Sequence, residues 1–418
     1  MELRDRHLVL GLTGGIACYK AAELCRALVK EGATVQVVMT AAAEQFITAI
    51  TMQALSNRPV FCSQWDAREA NNMAHINLGR AADAILIAPC SADFMAKLVH
   101  GRADELLSLM CLARPADQVP LLLASAMNRE MWVHPATQRN MAQLQRDGAN
   151  ILGVGNGDQA CGETGDGRML EPDEIVEDVV AFFQPKLLAG QRVVVTAGPT
   201  YEAIDPVRGI TNLSSGKMGF AVARAAREAG AEVTLVAGPV SLPTPRGVAR
   251  INVKSAQQMY AASLELVENA TFFIATAAVA DWRPAQSAEH KIKKDGSGAT
   301  PQLQFAENPD ILATVAQSPR ARNGTLFCVG FAAESQDLIA NAQAKRLRKG
   351  VPLLVGNIGP ATFGQDDNAL VLVTADSVQE FGRAPKLELA RKLVAACAQR
   401  AHARPAASGL MPASSPAR

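Results

Sequence analysis

One cysteine of this chain lies in a segment that gives it little to pack against. Cys161 is part of GDQACGETGDGRML, residues 157 to 170, where nearly every other residue is small, polar or glycine. Free cysteines usually pack in protein cores as small hydrophobic residues. From the residues alone, the thiol is either a bystander or a reactive group on a mobile loop, and the loop composition favours the bystander.

Two turns have the composition of anion-binding sites. Thr13-Gly14-Gly15 separates the apolar strand HLVLGL from a helix, and Ser214-Ser215-Gly216-Lys217 precedes a second helix. Small residues let phosphate oxygens approach the free N–H groups at a helix start, where the helix dipole also favours an anion. Each turn has an ordinary alternative, which is tight packing for the first and a serine helix cap for the second.

The first turn suits a phosphate monoester better than a dinucleotide. It lacks the G-x-G-x-x-G pattern, and the second strand, VQVVMT, ends in Thr40 instead of the acidic residue that would bind an adenosine ribose. The next buried strand ends in Ser91, Ala92 and Asp93, which offer hydroxyl, backbone and carboxylate groups to a flat polar ring. A capped turn is the alternative at these three residues. We therefore expect FMN rather than a dinucleotide.

Two stretches of the chain repeat one pattern of strand, polar turn, amphipathic helix and strand. Apolar strands alternating with helices of about ten to fifteen residues predict parallel sheets with helices on both faces and ligands at the carboxyl ends of the strands. The predicted fold class is α/β, with two doubly wound, Rossmann-like domains. We expect domains at residues 1–186 and 190–400, separated at FFQPKLLAGQR, and a disordered tail at 401–418 that is rich in Ala, Pro and Ser.

Composition excludes several classes of function. A formal net charge of +1, with no basic block, argues against nucleic acid as a partner. The eight cysteines include no C-x-x-C pair, so a closed zinc site is not expected. Because no apolar run reaches about 18 residues and the first residues lack the apolar core of a signal peptide, we expect no membrane association and a cytoplasmic location with reduced thiols.

Five motifs of the first domain together resemble the flavin-dependent phosphopantothenoylcysteine decarboxylases. In chain order they are TGGIACYK, MAHINLGR, APCSADF, SAMNREMW and the Cys161 loop. The resemblance implies that FMN oxidises the substrate thiol to a thioaldehyde, that CO2 then leaves, and that the enethiolate is finally reduced with no net redox change. His75 would be the base, Asn128 would donate to the substrate carboxylate, and Cys161 would return a proton from a closing loop. A surface histidine and a strand-end cap are the ordinary alternatives for His75 and Asn128.

The second domain resembles the phosphopantothenate–cysteine ligases, through TAGPTYEAIDPVRGITNLSSGKMG, ATAAVADW, HKIKKDG, ENPDIL and VGFAAE. The resemblance implies CTP, Mg²⁺ and an acyl-cytidylate, with Lys291 as the essential lysine and Asn212 assisting the acyl-cytidylate step. Lys293 alternates with Lys291 and would share its side of an extended segment; a solvated charged loop is the alternative. Asp281, at the end of the predicted strand TFFIATAAVAD, would contact Mg²⁺ or act as a cap. The expected nucleotide-binding residues are Ser214, Ser215, Gly216, Lys217, Ala277, Asp281, Lys291, Lys293 and Phe331.

The two resemblances together imply a bifunctional enzyme of coenzyme A biosynthesis. Its second domain would join 4′-phosphopantothenate to cysteine, and its first would decarboxylate the product to 4′-phosphopantetheine. The resemblance also implies a homo-oligomer, with trimeric decarboxylase and dimeric ligase contacts in a dodecamer. The choice of CTP over ATP rests on the resemblance alone.

Two other functions predict different residues. A nicotinamide-dependent oxidoreductase needs an acidic residue after the second strand of each domain, where this chain has Thr40 and Gly238. A flavin-binding regulatory protein without catalysis predicts the loss of His75, Asn128 or Cys161, and all three are present.

Overall fold

The computed structural model describes residues 1–66, 68, 71–293, 302–334, 337–358 and 364–402. The chain divides into two compact units, Met1–Phe183 and Gln184–Arg418, which we call unit 1 and unit 2. The expected tail lies outside the described residues from position 403 onward, whereas residues 401 and 402 belong to the last helix. Among the described residues, we find no helix with both the length and the apolar content of a membrane span.

Unit 1 is built on a five-stranded parallel sheet in the order β2-β1-β3-β4-β5, with a separate antiparallel hairpin of β6 and β7. Its strands are β1 (His7–Leu12), β2 (Thr34–Met39), β3 (Ala84–Cys90), β4 (Leu121–Ser125), β5 (Asn150–Gly153), β6 (Gly155–Asp158) and β7 (Thr164–Arg168). Its helices are α1 (Cys18–Lys30), α2 (Ala49–Ser56), α3 (Ala74–Ala81), α4 (Ala92–Val99), α5 (Leu106–Ala113), α6 (Arg129–Val133), α7 (Pro135–Arg146) and α8 (Pro172–Phe183).

Both faces of this sheet are covered, as a doubly wound fold requires. Along β1, Leu8 and Leu10 belong to one buried cluster, with residues of α1 and α8, whereas Val9 belongs to another, with residues of α4 and α5. Since successive side chains of a strand point to opposite faces, the two clusters lie on opposite sides of the sheet. The continuous apolar runs of β1 and β3 reflect this double burial.

The hairpin of β6 and β7 carries the Cys161 loop at its tip and is fixed to the end of β4. The Met127 N–H donates to the Gly167 carbonyl at 2.9 Å. Gly167 has φ +126°, and a Cβ at this position would lie 2.6 Å from the Met127 carbonyl oxygen. Only glycine permits this approach, which holds the hairpin against the carboxyl edge of the sheet.

Unit 2 contains an eight-stranded sheet in the order β12-β11-β8-β13-β16-β17-β18-β19 and two small antiparallel pairs, β9 with β10 and β14 with β15. Its strands are β8 (Arg192–Ala197), β9 (Tyr201–Ala203), β10 (Gly209–Thr211), β11 (Glu232–Ala237), β12 (Val248–Asn252), β13 (Phe272–Ala275), β14 (Trp282–Pro284), β15 (Phe305–Glu307), β16 (Phe327–Glu334), β17 (Leu353–Ile358), β18 (Asp367–Val373) and β19 (Val378–Pro385). Its helices are α9 (Lys217–Glu228), α10 (Ala256–Val267), α11 (Ile311–Ala316), α12 (Pro319–Arg322), α13 (Leu338–Lys349) and α14 (Lys386–His402).

The parallel α/β architecture is confirmed in both units, and unit 2 adds a feature that the sequence patterns did not indicate. In the order in which they lie in the sheet, the six strands β12, β11, β8, β13, β16 and β17 are parallel. Strands β18 and β19 extend the sheet in antiparallel fashion. The connection between Val373 and Val378 has four residues, which is too short for a crossover helix, so these two strands form a hairpin.

Two predicted strand ends were wrong by several residues. The strand that was expected to reach Asp281 ends at Ala275, and the strand that was expected to reach Asn128 ends at Ser125. After Ala275 the backbone forms a hydrogen bond with the loop that follows β8: the Ala278 N–H donates to the Gly198 carbonyl at 2.9 Å. Asp281 therefore lies in a loop, and Asn128 is the N-cap of α6.

Candidate functional site

The carboxyl edge of the unit 1 sheet borders a cavity of about 420 Å³, which we call the unit 1 cavity. Its walls come from the turn after β1, the start of α4, the segment between β4 and α6, and the β6–β7 hairpin. Apolar side chains of Ile16, Ala17, Met127, Met131 and Met169 form much of the lining. The predicted residues that line it are Gly14, Gly15, Ser91, Ala92, Asn128 and Cys161.

The turn before α1 presents unsatisfied backbone donors to this cavity. In the described part of the chain, the N–H groups of Gly14 to Ala17 have no protein acceptor, and the N-cap residue Ala17 has no capping side chain. A Cβ on Gly14 would lie 2.6 Å from the Cβ of Ala42, whereas a Cβ on Gly15 would meet nothing within 4 Å. Glycine is thus needed for packing at the first position and leaves open space for a ligand at the second.

Three predicted cofactor-binding residues do not line the cavity. The buried Thr13 hydroxyl donates to the Pro89 carbonyl at 2.8 Å and accepts from the Ser91 N–H at 2.9 Å, so it joins the ends of β1 and β3. The buried Thr40 hydroxyl accepts from the Ala43 N–H at 3.2 Å. Asp93 is exposed and lies 3.8 Å from the Lys97 ammonium. These side chains support neighbouring backbone instead of reaching the cavity.

Asn128 and Cys161 meet at the mouth of the cavity. The Asn128 side-chain oxygen accepts from the Glu130 N–H at 2.8 Å, which is the capping interaction of α6. That bond turns the Nδ2 group toward the hairpin, where it lies 3.3 Å from the Cys161 sulfur and 2.5 Å from the Glu163 Oε2. Asn128 is therefore a helix cap and not the strand-end cap of the alternative, and the same amide faces Cys161 through its nitrogen.

His75 is not brought to this site within one chain. It is half-buried in α3 and does not line the unit 1 cavity in the described structure. By contrast, the buried Lys20 on α1 does line it, and the sequence analysis did not select this residue. Its ammonium donates to the Met169 carbonyl at 3.1 Å and to Glu171 Oε1 at 2.6 Å. The sequence feature that could have identified Lys20 is its position among the apolar residues of an amphipathic helix.

The unit 1 cavity fits a flavin mononucleotide by its chemistry. Free N–H groups at a helix start match a phosphate, and the apolar side chains match the faces of a flat ring. The Ser91 hydroxyl caps α4 by accepting from the Phe94 N–H at 3.2 Å, so its proton is available to a ring oxygen or nitrogen.

Unit 2 has two adjoining cavities at the carboxyl edge of its sheet. Cavity A has a volume of about 280 Å³ and cavity B about 400 Å³. They share the lining residues Ala277, Val279, Asp281, Phe331 and Lys345. The predicted residues in cavity A are Ser214, Ser215, Gly216, Lys217, Ala277, Asp281 and Phe331.

The start of α9 forms one wall of cavity A. Gly216 is the N-cap and has φ +76°, a left-handed conformation that glycine adopts readily. The Lys217 ammonium donates to the Gly364 carbonyl at 2.9 Å and to Asp366 Oδ1 at 2.6 Å. The hydrogen bond from Lys217 lowers the pKa of the Asp366 carboxyl. Burial, and then the neighbouring Lys217, lower the pKa of the Lys386 ammonium, which also lines this cavity.

Asn212 lies beside cavity A rather than in its lining. Its Nδ2 group donates at 2.9 Å to the carbonyl of Ala278, which does line the cavity. Asp281 is exposed, and its carbonyl accepts from the Asn308 N–H at 2.8 Å. Among the described residues, no group of three or more His, Cys, Asp or Glu side chains could hold a metal ion. Asp281 is the carboxylate among the described residues that both cavities share, and Glu307 and Asp310 line cavity B as well.

Lys291 and Lys293 are exposed and line neither cavity of the described chain. The backbone between them is held in place: the Ile292 N–H donates to Asp205 Oδ2 at 3.2 Å, and Arg208 donates to the Ile292 carbonyl at 2.8 Å. Hydrogen bonds from the Arg208 guanidinium, helped by backbone N–H groups, keep the pKa of the buried Asp205 well below its usual range. The rest of HKIKKDG, from residue 294, lies outside the described residues.

Cavity B contains charged residues that the sequence analysis did not identify. Lys345 and Lys349 lie on α13, and Lys349 forms an ion pair with Asp310. Burial opposes the ionisation of Asp310, but its interaction with Lys349 outweighs this and lowers the pKa of the carboxyl. The two lysines are four residues apart on one helix, so they lie on the same face, and this spacing was the available signal.

Comparison with known proteins gives matches over both units. A family described as Flavoprotein matches residues 1–184, and one described as the DNA/pantothenate metabolism flavoprotein C-terminal domain matches residues 188–400. The coenzyme A biosynthesis bifunctional protein CoaBC of Vibrio cholerae is 50% identical over 89% of this chain and 92% of its own length. The proteins of the same name from Haemophilus influenzae and Escherichia coli K12 are 47% and 46% identical, over 94% and 90% of this chain and 97% and 92% of their own.

Two solved structures also match one unit each. The C-terminal domain of a coenzyme A biosynthesis bifunctional protein is 34% identical and covers 52% of this chain and 98% of its own, with a TM-score of 0.45. The FMN binding protein AtHal3 is 31% identical and covers 43% of this chain and 97% of its own, with a TM-score of 0.38. The matching families and the identity over nearly the whole length of the relatives establish that this chain belongs to the family of bifunctional coenzyme A biosynthesis proteins.

Proposed function

We propose that unit 2 joins 4′-phosphopantothenate to cysteine with CTP through an acyl-cytidylate, and that unit 1 decarboxylates the product to 4′-phosphopantetheine with FMN. The observation that carries the proposal for unit 1 is the 3.3 Å approach of the Asn128 amide to the Cys161 sulfur, at a cavity with free helix-start N–H groups. A group that binds the substrate carboxylate, a proton donor and a phosphate-binding site then lie at one cavity. Family membership supports both halves of the proposal.

In unit 1, the residues of this chain bind and orient the substrate. The N–H groups from Gly14 to Ala17 hold the cofactor phosphate, and FMN supplies reversible two-electron oxidation of the substrate thiol. Asn128 donates to the substrate carboxylate. Because its amide is neutral, it orients the carboxylate without the strong charge stabilisation that a lysine would give, so it does not oppose the loss of CO2. Cys161 then donates a proton to the decarboxylated carbon, and the apolar walls keep water out.

For His75 we propose that it acts as the base in an assembled homo-oligomer. The side chains around the mouth of the unit 1 cavity support an assembly: Ile16, Tyr19 and Met131 line the cavity, and their exposed fractions are 62%, 62% and 48%. Apolar side chains this exposed at a binding site are typical of a surface that another subunit covers. The trimeric, dimeric and dodecameric arrangements are part of this proposal.

In unit 2, we propose that the nucleotide lies across cavities A and B. Lysines on both cavities, namely Lys217, Lys345, Lys349 and Lys386, give the positive charge that a triphosphate needs, and the N-terminus of α9 adds backbone dipoles. Asp281, at the shared wall, would supply a carboxylate oxygen to Mg²⁺, and the ion would offset negative charge on the phosphate groups. Lys291 and Lys293 would reach the reacting phosphate from a segment that Asp205 and Arg208 hold.

One assay tests the whole proposal. The purified protein is incubated with 4′-phosphopantothenate, cysteine, Mg²⁺ and either CTP or ATP, while pyrophosphate and CO2 are measured separately. We expect pyrophosphate and CO2 in equal amounts with CTP, and a much lower rate of pyrophosphate formation with ATP. Equal rates with the two nucleotides would contradict the choice of CTP, and pyrophosphate without CO2 would contradict the function of unit 1.

A further inference from the structure

Glu163 is two residues from Cys161, and no step proposed for unit 1 uses it. Its Oε2 atom accepts a hydrogen bond from Asn128 Nδ2 at 2.5 Å, and the Cys161 thiol donates to the same oxygen at 3.6 Å. One carboxylate oxygen therefore contacts both the residue assigned to bind the substrate carboxylate and the residue assigned to return the proton.

The amide of Asn128 has no spare donor while these contacts exist. Its oxygen is committed to capping α6, and its Nδ2 group faces three acceptors, namely the Gln159 side-chain oxygen at 3.3 Å, the Cys161 sulfur at 3.3 Å and Glu163 Oε2 at 2.5 Å. A side-chain amide has only two N–H groups. A substrate carboxylate can bind Asn128 only by replacing one of these acceptors.

Of these acceptors, Glu163 is the one that can leave. The Gln159 side-chain oxygen also accepts from the Arg129 N–H at 2.9 Å, and its amide group donates to the Asp166 carbonyl at 3.1 Å. The Glu163 carboxylate is exposed, and within the described residues its side chain contacts only Asn128 and Cys161. Moving it into water breaks no other contact and uncovers no buried charge.

We propose that Glu163 is a built-in competitor that occupies the place of the substrate carboxylate on Asn128. This inference rests on the proposed function of unit 1. The substrate carboxylate displaces Glu163, which also releases the Cys161 thiol to face the substrate. Once CO2 has left, the ligand has no carboxylate to hold Asn128, and Glu163 returns to the amide. Glu163 is a positioning residue that lowers the affinity for the acid and restores its contacts with Asn128 and Cys161 after each turnover.

The test compares two ligands on the full-length, flavin-loaded protein. One is 4′-phosphopantothenoylserine, a carboxylated analogue whose hydroxyl replaces the reactive thiol, and the other is 4′-phosphopantetheine, which lacks the carboxylate. Dissociation constants are measured by calorimetry for the wild type and for Glu163→Gln, which keeps the shape but removes the charged competitor. We expect Glu163→Gln to bind the serine analogue about tenfold more tightly and 4′-phosphopantetheine within about twofold of the wild type.

A matched control separates the contact from a general change of charge. Glu130→Gln removes the same charge at an exposed residue near Asn128, but the Glu130 side chain makes no contact with the Asn128 amide. We expect this variant to bind both ligands like the wild type. In an Asn128→Ala background, Glu163→Gln should have no effect on binding of the serine analogue, because the shared partner is absent.

Four results would overturn the inference: weaker binding of the serine analogue by Glu163→Gln, unchanged binding of it, an equal gain for both ligands, or an equal gain in Glu130→Gln. Failure of the proposed function would be recognised separately. A wild-type protein that releases no CO2 from 4′-phosphopantothenoylcysteine contradicts the function of unit 1, whereas normal CO2 release with unchanged analogue affinity in Glu163→Gln contradicts only the role of Glu163.

Discussion

The cavities of units 1 and 2 occupy the same place in the fold but differ in their charge. Both lie at the carboxyl edge of a parallel sheet, next to a helix start. Of the residues described in unit 1, two cations line the cavity, Lys20 and Arg168, and both are paired with Glu171. Four lysines of the described part of unit 2 line its two cavities. A reaction that expels CO2 gains nothing from a cation that stabilises the departing carboxylate, whereas phosphoryl chemistry needs positive charge where negative charge accumulates.

In each unit, an exposed carboxylate outside the cavity lining engages a proposed ligand-binding group that does line the cavity. Glu163 accepts from Asn128 in unit 1, and Asp366 accepts from Lys217 in unit 2. The unit 1 contact joins a charge to a neutral amide, and the unit 2 contact is an ion pair. Similar folds therefore support different chemistry through the side chains on their loops, and the following predictions test this difference.

The largest expected effect separates the two reactions. Lys291→Gln should lower ligation by at least about 100-fold, because it removes a cation that stabilises negative charge in the transition state. CO2 release from added 4′-phosphopantothenoylcysteine should be unchanged. The measurements are pyrophosphate from CTP and CO2 from the second substrate. A comparable loss of both activities would show that the two units do not act independently.

The next prediction separates two halves of the unit 1 reaction. Cys161→Ser should still release CO2, at one equivalent per bound flavin and beyond that only as dissolved O2 reoxidises the reduced flavin. It should accumulate the oxidised enethiol, with the yield of 4′-phosphopantetheine reduced about 100-fold, because the proton donor of the reductive half is lost. Chromatography of the products, with CO2 measured in parallel, checks this outcome. A normal yield of 4′-phosphopantetheine would remove Cys161 from the mechanism.

A smaller effect is expected from the group that holds the Lys291 segment. Asp205→Asn should lower ligation about tenfold and lower the melting temperature, since the carboxylate accepts several hydrogen bonds, including one from Ile292. The pKa of Asp205 is depressed in the folded protein. Its contribution to stability is therefore present above the unfolded pKa of about 4 and is lost as pH falls below that value.

The measurement for Asp205 is the free energy of unfolding as a function of pH. The difference between wild type and Asp205→Asn should be constant above about pH 4 and should shrink in more acidic solution. A difference that is the same at all pH values would mean that the charge of Asp205 is not what holds the segment.

The smallest effect is expected for the end of the chain. Deletion of residues 403 to 418, which are rich in Ala, Pro and Ser, should leave both activities within about twofold of wild type. Steady-state rates of pyrophosphate and CO2 formation test this. A large decrease in either activity would assign the tail a structural role in that unit.

The parts of the fold and site that depend on local sequence could be predicted. Gly14 packs against Ala42, Gly15 leaves open space, and Gly216 has a left-handed backbone, while periodicity predicted the parallel sheets. The early end of β13 and the contact of Glu163 with Asn128 depend on bonds between distant segments, and the β18–β19 hairpin joins the sheet through the antiparallel pairing of β18 with β17. His75 and Lys291 are chemically suitable, but chemical type does not place a side chain in a cavity.

The most direct test of the account is CO2 release from 4′-phosphopantothenoylcysteine, measured with and without bound flavin and with and without CTP. Because flavin is assigned to unit 1 and CTP to unit 2, we expect CO2 and 4′-phosphopantetheine to form in equal amounts. Removal of flavin should abolish both products, and CTP should have no effect. Release of CO2 that persists without flavin, or that requires CTP, would contradict the account.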